Sequence, residues 1–222
     1  MDKKKKAILG LSAIIAIVII GVIIIVTVAN RKGTENEQIT EGDGVSSKTM
    51  QLSKKLSETS EYNCKLTLDD NNKIDYSKKG DKAYNDFTYD GEESKFIIKN
   101  GDTYSLDDKN KQYYVYKNNE MDLTLIEKGL GDVDKNNYKT GKEKIEKGNY
   151  KYEEFNMMTD FLFKGTDENE DVSPVTRFYY KGDELKYIKT IIGDYQELIK
   201  VEISYNDIQD SLFEIPSDYK EE

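Results

Sequence analysis

The chain has 222 residues, 33 Lys and Arg against 43 Asp and Glu, no His, no Trp and one Cys. That inventory excludes Ser-His and Cys-His nucleophilic catalysis, zinc sites built on His and Cys, and an internal disulfide. The formal net charge of −10 opposes binding to a phosphate backbone, which takes basic patches, so nucleic acid is excluded as a partner.

Residues 1–6 form a basic tail containing Lys3, Lys4, Lys5 and Lys6. From Ala7 to Ala29, 23 consecutive residues carry no charge, and all but Gly10, Ser12, Gly21 and Thr27 are Ala, Val, Ile or Leu. As a helix rising about 1.5 Å per residue the run extends about 34 Å, enough for a hydrocarbon core of about 30 Å. A secretory signal has a shorter apolar core of about 7–15 residues. Thr27-Val28-Ala29 offers small residues of the cleavage kind, but the length of the run argues for an uncleaved transmembrane anchor. Four lysines precede it, against Arg31 and Lys32 after it, and the larger basic cluster stays cytoplasmic. The expected topology is a single-pass cell-membrane protein with its C-terminal domain extracytoplasmic. Residues 33–222 then carry −15, from 27 basic and 42 acidic side chains, and repel anionic headgroups as they repel phosphates.

Residues 30–45 are polar, with Gly33, Gly42 and Gly44, and read as a flexible linker. The folded domain is expected over 46–222. Ser46 or Ser47 caps a helix over about 47–59, in which Val45, Thr49, Leu52, Leu56 and Thr59 follow the 3.6-residue spacing. From Tyr62 the period becomes two, with Tyr62, Cys64, Leu66 and Leu68 on one face of a strand. Cys64 on that face is a small buried hydrophobe, not a reactive thiol.

Short runs rich in Tyr, Phe, Ile, Val and Thr follow, separated by Gly80-Asp81, Asp90-Gly91, Asn100-Gly101, Gly148-Asn149, Gly182-Asp183 and Gly193-Asp194. Each pair supplies the positive φ of a tight hairpin, and the connections are too short for parallel crossovers. Strands are expected at 62–69, 73–79, 82–89, 94–99, 102–107, 111–117, 140–147, 149–157, 175–181, 184–192 and 196–205. Leu123, Ile126 and Leu130 suggest a second short helix over 120–130. Asp167, Asn169 and Asp171 have the spacing that opens a calcium loop. Val172 stands where the turn glycine belongs, however, and Phe178 where the bidentate Glu belongs, so the stretch reads as a solvated acidic loop and no metal is assigned.

A sheet with one wet face alternates cleanly, but Phe96-Ile97-Ile98, Tyr113-Tyr114-Val115-Tyr116 and Phe178-Tyr179-Tyr180 place apolar groups on both faces. Two short helices are small cover for so many strands. One arrangement leaves an apolar groove of at least about 300 Å³ on a concave face, with Phe96, Ile98, Tyr114, Tyr116, Tyr180, Ile188 and Val201 as candidate ligand-binding residues. In the other, tyrosine rings lie flat with their hydroxyls in solvent and no cavity remains.

The ending carries a resemblance. Phe178-Tyr179-Tyr180-Lys181-Gly182-Asp183-Glu184-Leu185, paired strands, and Asp210-Ser211-Leu212-Phe213-Glu214-Ile215-Pro216-Ser217-Asp218-Tyr219 resemble the C-terminal part of the LolA/LolB-like lipoprotein-carrier superfamily. The stretch Phe96 to Asp107 and the helix leading into a first strand, Leu52 to Leu68, are similar to the same group. The resemblance implies a mainly β (α+β) fold. It would be a curved antiparallel incomplete β-barrel lidded by two short helices, whose concave side receives acyl chains or apolar protein segments. The membrane anchor and a lone arginine in the domain, Arg177, depart from a diffusing carrier.

The function expected is a membrane-tethered extracytoplasmic module binding a lipid, lipoprotein or apolar polypeptide segment. The alternative is a cell-envelope interaction or sensor module with a filled barrel and no ligand. Carboxylates are abundant, but no spacing singles out an acid and a base. No enzyme activity and no cofactor is therefore assigned.

Overall fold

The structure is a computed structural model that describes Thr40–Glu41 and residues 47–117, 130, 138–156 and 175–222. The run 7–29, most of the linker, the stretch 120–130 apart from Leu130, and the acidic loop 167–171 lie outside the described residues. Among the described residues no helix is long and apolar enough to cross a membrane.

Helix α1 (Lys48–Glu58) is followed by six strands, β2 (Glu61–Thr67), β3 (Lys73–Lys79), β4 (Lys82–Tyr89), β5 (Glu92–Lys99), β6 (Asp102–Asp107) and β7 (Gln112–Tyr116). A second series comprises β8 (Tyr138–Ile145), β9 (Gly148–Asn156), β10 (Val175–Lys181), β11 (Glu184–Ile192) and β12 (Tyr195–Ser204). Two-residue strands stand at the margins, β1 (Thr40–Glu41) and β13 (Lys220–Glu221). All join one sheet in the order β1-β8-β9-β10-β11-β12-β2-β3-β4-β5-β6-β7-β13. Each series is a meander, and the β12–β2 pairing, Val201 opposite Leu66 and Ile203 opposite Cys64, fuses them. The eleven strands read from the sequence all appear, with ends displaced by at most two residues.

The structure departs from the sequence reading at three places. Thr40–Glu41, inside the expected linker, pair with β8 and so belong to the sheet. The pairing of β13 with β7 is parallel, because the chain returns to that edge through a long connection from Ser204 instead of a hairpin. Positive φ occurs at five of the six turn glycines, Gly80, Gly91, Gly101, Gly182 and Gly193, but not at Gly148, where Glu146 takes that conformation. Gly148 serves a different need: a Cβ there would lie 2.6 Å from the ring of Tyr150.

The helix is held by the sheet as well as by its own cap. Ser47 Oγ accepts from the Met50 N–H at 3.0 Å. Glu153 of β9 accepts from the N–H groups of Lys48 and Thr49 at 2.7 and 2.9 Å and from the Thr49 hydroxyl at 2.8 Å. A carboxylate thus meets the unsatisfied donors and positive dipole end of α1. Lys48 adds an ion pair of 2.6 Å to Asp183 in the β10–β11 turn. Leu52 and Leu56 then turn inward and join one core with Tyr62, Cys64, Phe96, Phe155 and Phe178. That core runs from β9 to β5, seven strand spacings or about 34 Å if the sheet were flat. A helix of about 10–12 Å diameter shields far less than that. An open, almost wholly antiparallel sheet with little helix therefore fits a curved half-barrel with α1 packed on its inner face.

Over β4, β5 and β6 the second face is covered by the chain's own end. Residues 208–215 lie on it as a strap containing a short 3-10 helix, Asp210–Phe213. Phe213 and Ile208 are buried there with Ile97, against Tyr84, Tyr104, Leu106 and Ile215. Polar ties fix the strap: Glu61 accepts from the Ile208 N–H at 3.0 Å, Lys79 donates to the Ile208 carbonyl at 2.6 Å, and Lys99 pairs with Glu214 at 2.8 Å. Farther along the same face, Arg177 is 6% exposed. It binds Glu154 at 2.7 Å and Glu143 at 3.2 Å, and lies 4.6 Å over the Tyr152 ring. Burial pushes the Glu143 carboxyl up, but hydrogen bonds from Tyr179 and Lys189 and the Arg177 charge outweigh it and hold the group below the usual carboxylate range.

Candidate binding face and its pocket

Register decides which face each candidate residue occupies. Phe96 stands opposite Ser105, and Ser105 opposite Tyr114; Ile98 stands opposite Thr103, and Thr103 opposite Tyr116. Directly opposed residues share a face, so Phe96, Ile98, Tyr114 and Tyr116 project together. Phe96, Ile98, Tyr180 and Val201 are buried in the core that contains α1, with Ile188 half-buried against it. All seven candidates therefore lie on the helix-bearing face. Four of them are sealed by packing. At the far edge Tyr114 is half-buried and donates to Glu222 at 2.6 Å.

Open space on that face lies elsewhere, at the end where β2 turns into β3. Leu66, Leu68, Ile74, Phe87 and Ile199 enclose a cavity of about 80 Å³ with almost wholly apolar walls. The four strands β12, β2, β3 and β4 contribute to it in their inward phase, and the turn from Leu68 to Asn72 forms its rim. Asp69 stabilises that turn by accepting from the Asn71 N–H at 2.8 Å and the Asn72 amide at 2.9 Å.

One wall carries a charge. In β12 the inward phase reads Tyr195, Glu197, Ile199, Val201, Ile203, so a carboxylate occupies a position that alternation reserves for apolar groups. Glu197 is 7% exposed. Its Oε1 accepts from the Tyr195 hydroxyl at 3.2 Å, while Oε2 has no hydrogen-bond partner. Burial pushes its carboxyl up to about 7, against a small opposing effect of the Tyr195 hydrogen bond and with Asp69 adding to the rise. Asn85, fully buried and two residues before Phe87 in the same phase, also has both amide atoms unpartnered.

A second cleft of about 280 Å³ lies between α1 and the β10–β11 turn, bordered by Lys48, Lys55, Glu184, Lys186 and Tyr205. Its walls are half polar, and it reads as a solvated surface cleft. Cys64 is 1% exposed, and its thiol is pushed up to about 12 by burial and the nearby Asp75. Among the described residues no group of three His, Cys, Asp or Glu stands together as a metal site.

The sequence reading concentrated on strand centres and did not single out the pocket residues. The legible signal was Glu197 itself, the charged residue on the apolar phase of a strand.

No family model and no curated protein matches the chain. Among solved structures, an uncharacterized conserved protein from Thermus thermophilus is 9% identical and aligns over 78% of this chain and 95% of that one, with a TM-score of 0.46. LprF from Mycobacterium bovis is 12% identical over 79% of this chain and 100% of that one, with a TM-score of 0.42.

Proposed function

We propose that this chain is a membrane-tethered extracytoplasmic binding module whose half-barrel receives a short apolar group of a lipid, lipoprotein or polypeptide segment. The observation that supports it is the apolar cavity on the helix-bearing face, bounded by Leu66, Ile74, Phe87 and Ile199. Its size limits the occupant. At about 80 Å³ it is roughly half the engineered 150 Å³ cavity that holds a benzene, and well below the ~300–1,000 Å³ of drug-sized sites. The end of a chain or one side chain fits; a whole acyl lipid does not fit within these walls. The anchor at 7–29 keeps the module beside the bilayer, and the resemblance to LolA/LolB-like carriers agrees with an apolar ligand.

The test is a titration of hexan-1-ol into the full chain in lipid nanodiscs, followed at the methyl resonances of Leu66, Ile74 and Ile199. Saturable shifts in the wild type that vanish in Ile74→Phe, which fills the cavity, support the reading. Absence of shifts in the wild type refutes it. That result favours the second reading, an envelope interaction or sensor module with a filled barrel, which the dense packing of Leu52, Leu56, Phe96, Phe155 and Phe178 recommends.

A further inference from the structure

We infer that the β8–β9 hairpin is a membrane-contacting surface, whose Lys142, Lys144, Lys147 and Lys151 rest on the anionic phospholipid headgroups of the bilayer that holds the anchor. The inference rests on the membrane-tethered reading above and goes beyond it by assigning the surface that faces the bilayer.

The first observation is a set of like charges held together. Lys142 stands directly opposite Lys151, and Lys144 follows Lys142 two residues on, so all three share one face of the hairpin. Like charges directly opposite each other in a sheet repel. All three, and Lys147 in the turn, are exposed, and none of the four makes an ion pair among the described residues. The acidic side chains between Gly141 and Tyr152 are Glu143 and Glu146. Glu143 points to the other face, where Tyr179, Lys189 and Arg177 occupy it, which leaves Glu146 against four lysines. Residues 33–222 carry −15 in total, which predicts repulsion from headgroups, but the distribution of that charge reverses the sign at this hairpin. Such a cluster beside a bilayer gains about fivefold in attachment per lysine.

The second observation is where the chain enters the sheet. Strand β1 runs antiparallel to β8, with Thr40 opposite Thr140, so the backbone enters Thr40 from the side of the β8–β9 turn. That turn begins beyond Ile145, five residues or about 17 Å past Thr140. Residues 30–39 separate the run 7–29 from Thr40 and span at most about 36 Å, so the hairpin lies within reach of the surface that the run enters. Antiparallel alternation puts the β2–β3, β4–β5 and β11–β12 turns at the opposite end of the sheet, where Asp69, Asp70, Asp90, Glu92, Glu93 and Asp194 gather. With the hairpin on the headgroups, that acidic end and the apolar pocket beside the β2–β3 turn face away from the bilayer. An acidic polypeptide has the same charge, but the tether holds headgroups beside these lysines at high effective concentration.

The experiment places the full chain in nanodiscs of phosphatidylcholine alone or of an equal mixture with phosphatidylglycerol. Each is doped with headgroup spin-labelled phosphatidylcholine, and line broadening is read at the backbone amides. In the mixed nanodiscs the amides of Glu146 to Asn149 are expected to broaden while those of Asp90 and Gly91 stay sharp. The difference should vanish in phosphatidylcholine alone, and at about 1 M salt, where the screening length falls to about 3 Å. Lys147→Gln should lower the ratio of docked to undocked domain about fivefold. Lys142→Gln, Lys144→Gln, Lys147→Gln and Lys151→Gln combined should abolish docking, while unchanged Leu66 and Ile199 methyl shifts show that variant folded. Equal broadening at the two turns, stronger broadening at Asp90 and Gly91, or the same broadening without phosphatidylglycerol overturns the inference and leaves the tether standing. So does a free hexaglutamate peptide that shifts the Glu146 to Asn149 amides when mixed nanodiscs leave them sharp, a result that assigns the lysines to an acidic polypeptide. Recovery of the chain free of nanodiscs removes the tether and this inference with it.

Discussion

Replacing Glu197 by Gln isolates the consequence of a carboxyl on an apolar wall. The folded protein holds its proton up to about 7, against an ordinary value of 4.5. Because the folded-state value is raised, the protonated carboxyl stabilises the fold fully below about 4.5, and this contribution is lost as pH rises through 7. Each unit of difference corresponds to about 1.36 kcal/mol, so the full swing is on the order of 3 kcal/mol. Gln has nearly the same shape and does not ionise. The variant is therefore expected to match the wild type near pH 4.5 and to be more stable at pH 8.5 by that amount. For a domain of this size about 3 kcal/mol moves the melting temperature by roughly 6–12 °C. Differential scanning calorimetry of both proteins in nanodiscs at pH 4.5, 6 and 8.5 reads the difference directly. A gap between variant and wild type that is the same at all three pH values would refute the claim that Glu197 is buried as a neutral acid in the ligand-free protein.

Other substitutions test the packing that shapes the site. Glu153→Ala leaves the Lys48 and Thr49 N–H groups without their acceptor and should cost about 2–3 kcal/mol, with hydrogen exchange accelerating first in the opening turn of α1. Arg177→Met keeps an aliphatic stem over Tyr152 but removes one cation from Glu143, which retains Tyr179 and Lys189, and from Glu154, which retains Lys139 at 3.6 Å. A loss of about 1.5–3 kcal/mol, the size of a charge-assisted hydrogen bond, is expected, and a loss below about 0.5 kcal/mol in chemical denaturation would contradict the network. Phe213→Ala should cost about 3–5 kcal/mol by opening a cavity under the strap. Exchange should then rise in β5 and β6, whose Ile97 and Tyr104 lose their cover, while the pocket methyls of Leu66 and Ile199 stay unchanged.

Alternation and turn chemistry act locally, and they made most of the fold legible without coordinates. Tyr62-Asn63-Cys64-Lys65-Leu66 announces a strand because successive side chains leave on opposite faces. Asp90-Gly91 and Asn100-Gly101 announce hairpins because few other residues tolerate positive φ. The helix was equally plain from Ser47, Leu52 and Leu56. What alternation does not contain is the identity of the neighbour across space. Ile97 reads from the sequence as an apolar side chain on a second face with no visible cover. Its cover is Phe213 and Ile208, which reach it from more than 100 residues away in sequence. Likewise, only β12 lying beside β2, β2 beside β3 and β3 beside β4 decides that Glu197 shares a cavity lining with Leu66, Ile74 and Phe87. Local residue order sets which way each side chain points, through the geometry of the backbone. Which side chains then meet depends on how the two meanders join and on the curl of the sheet, and these are properties of the whole chain.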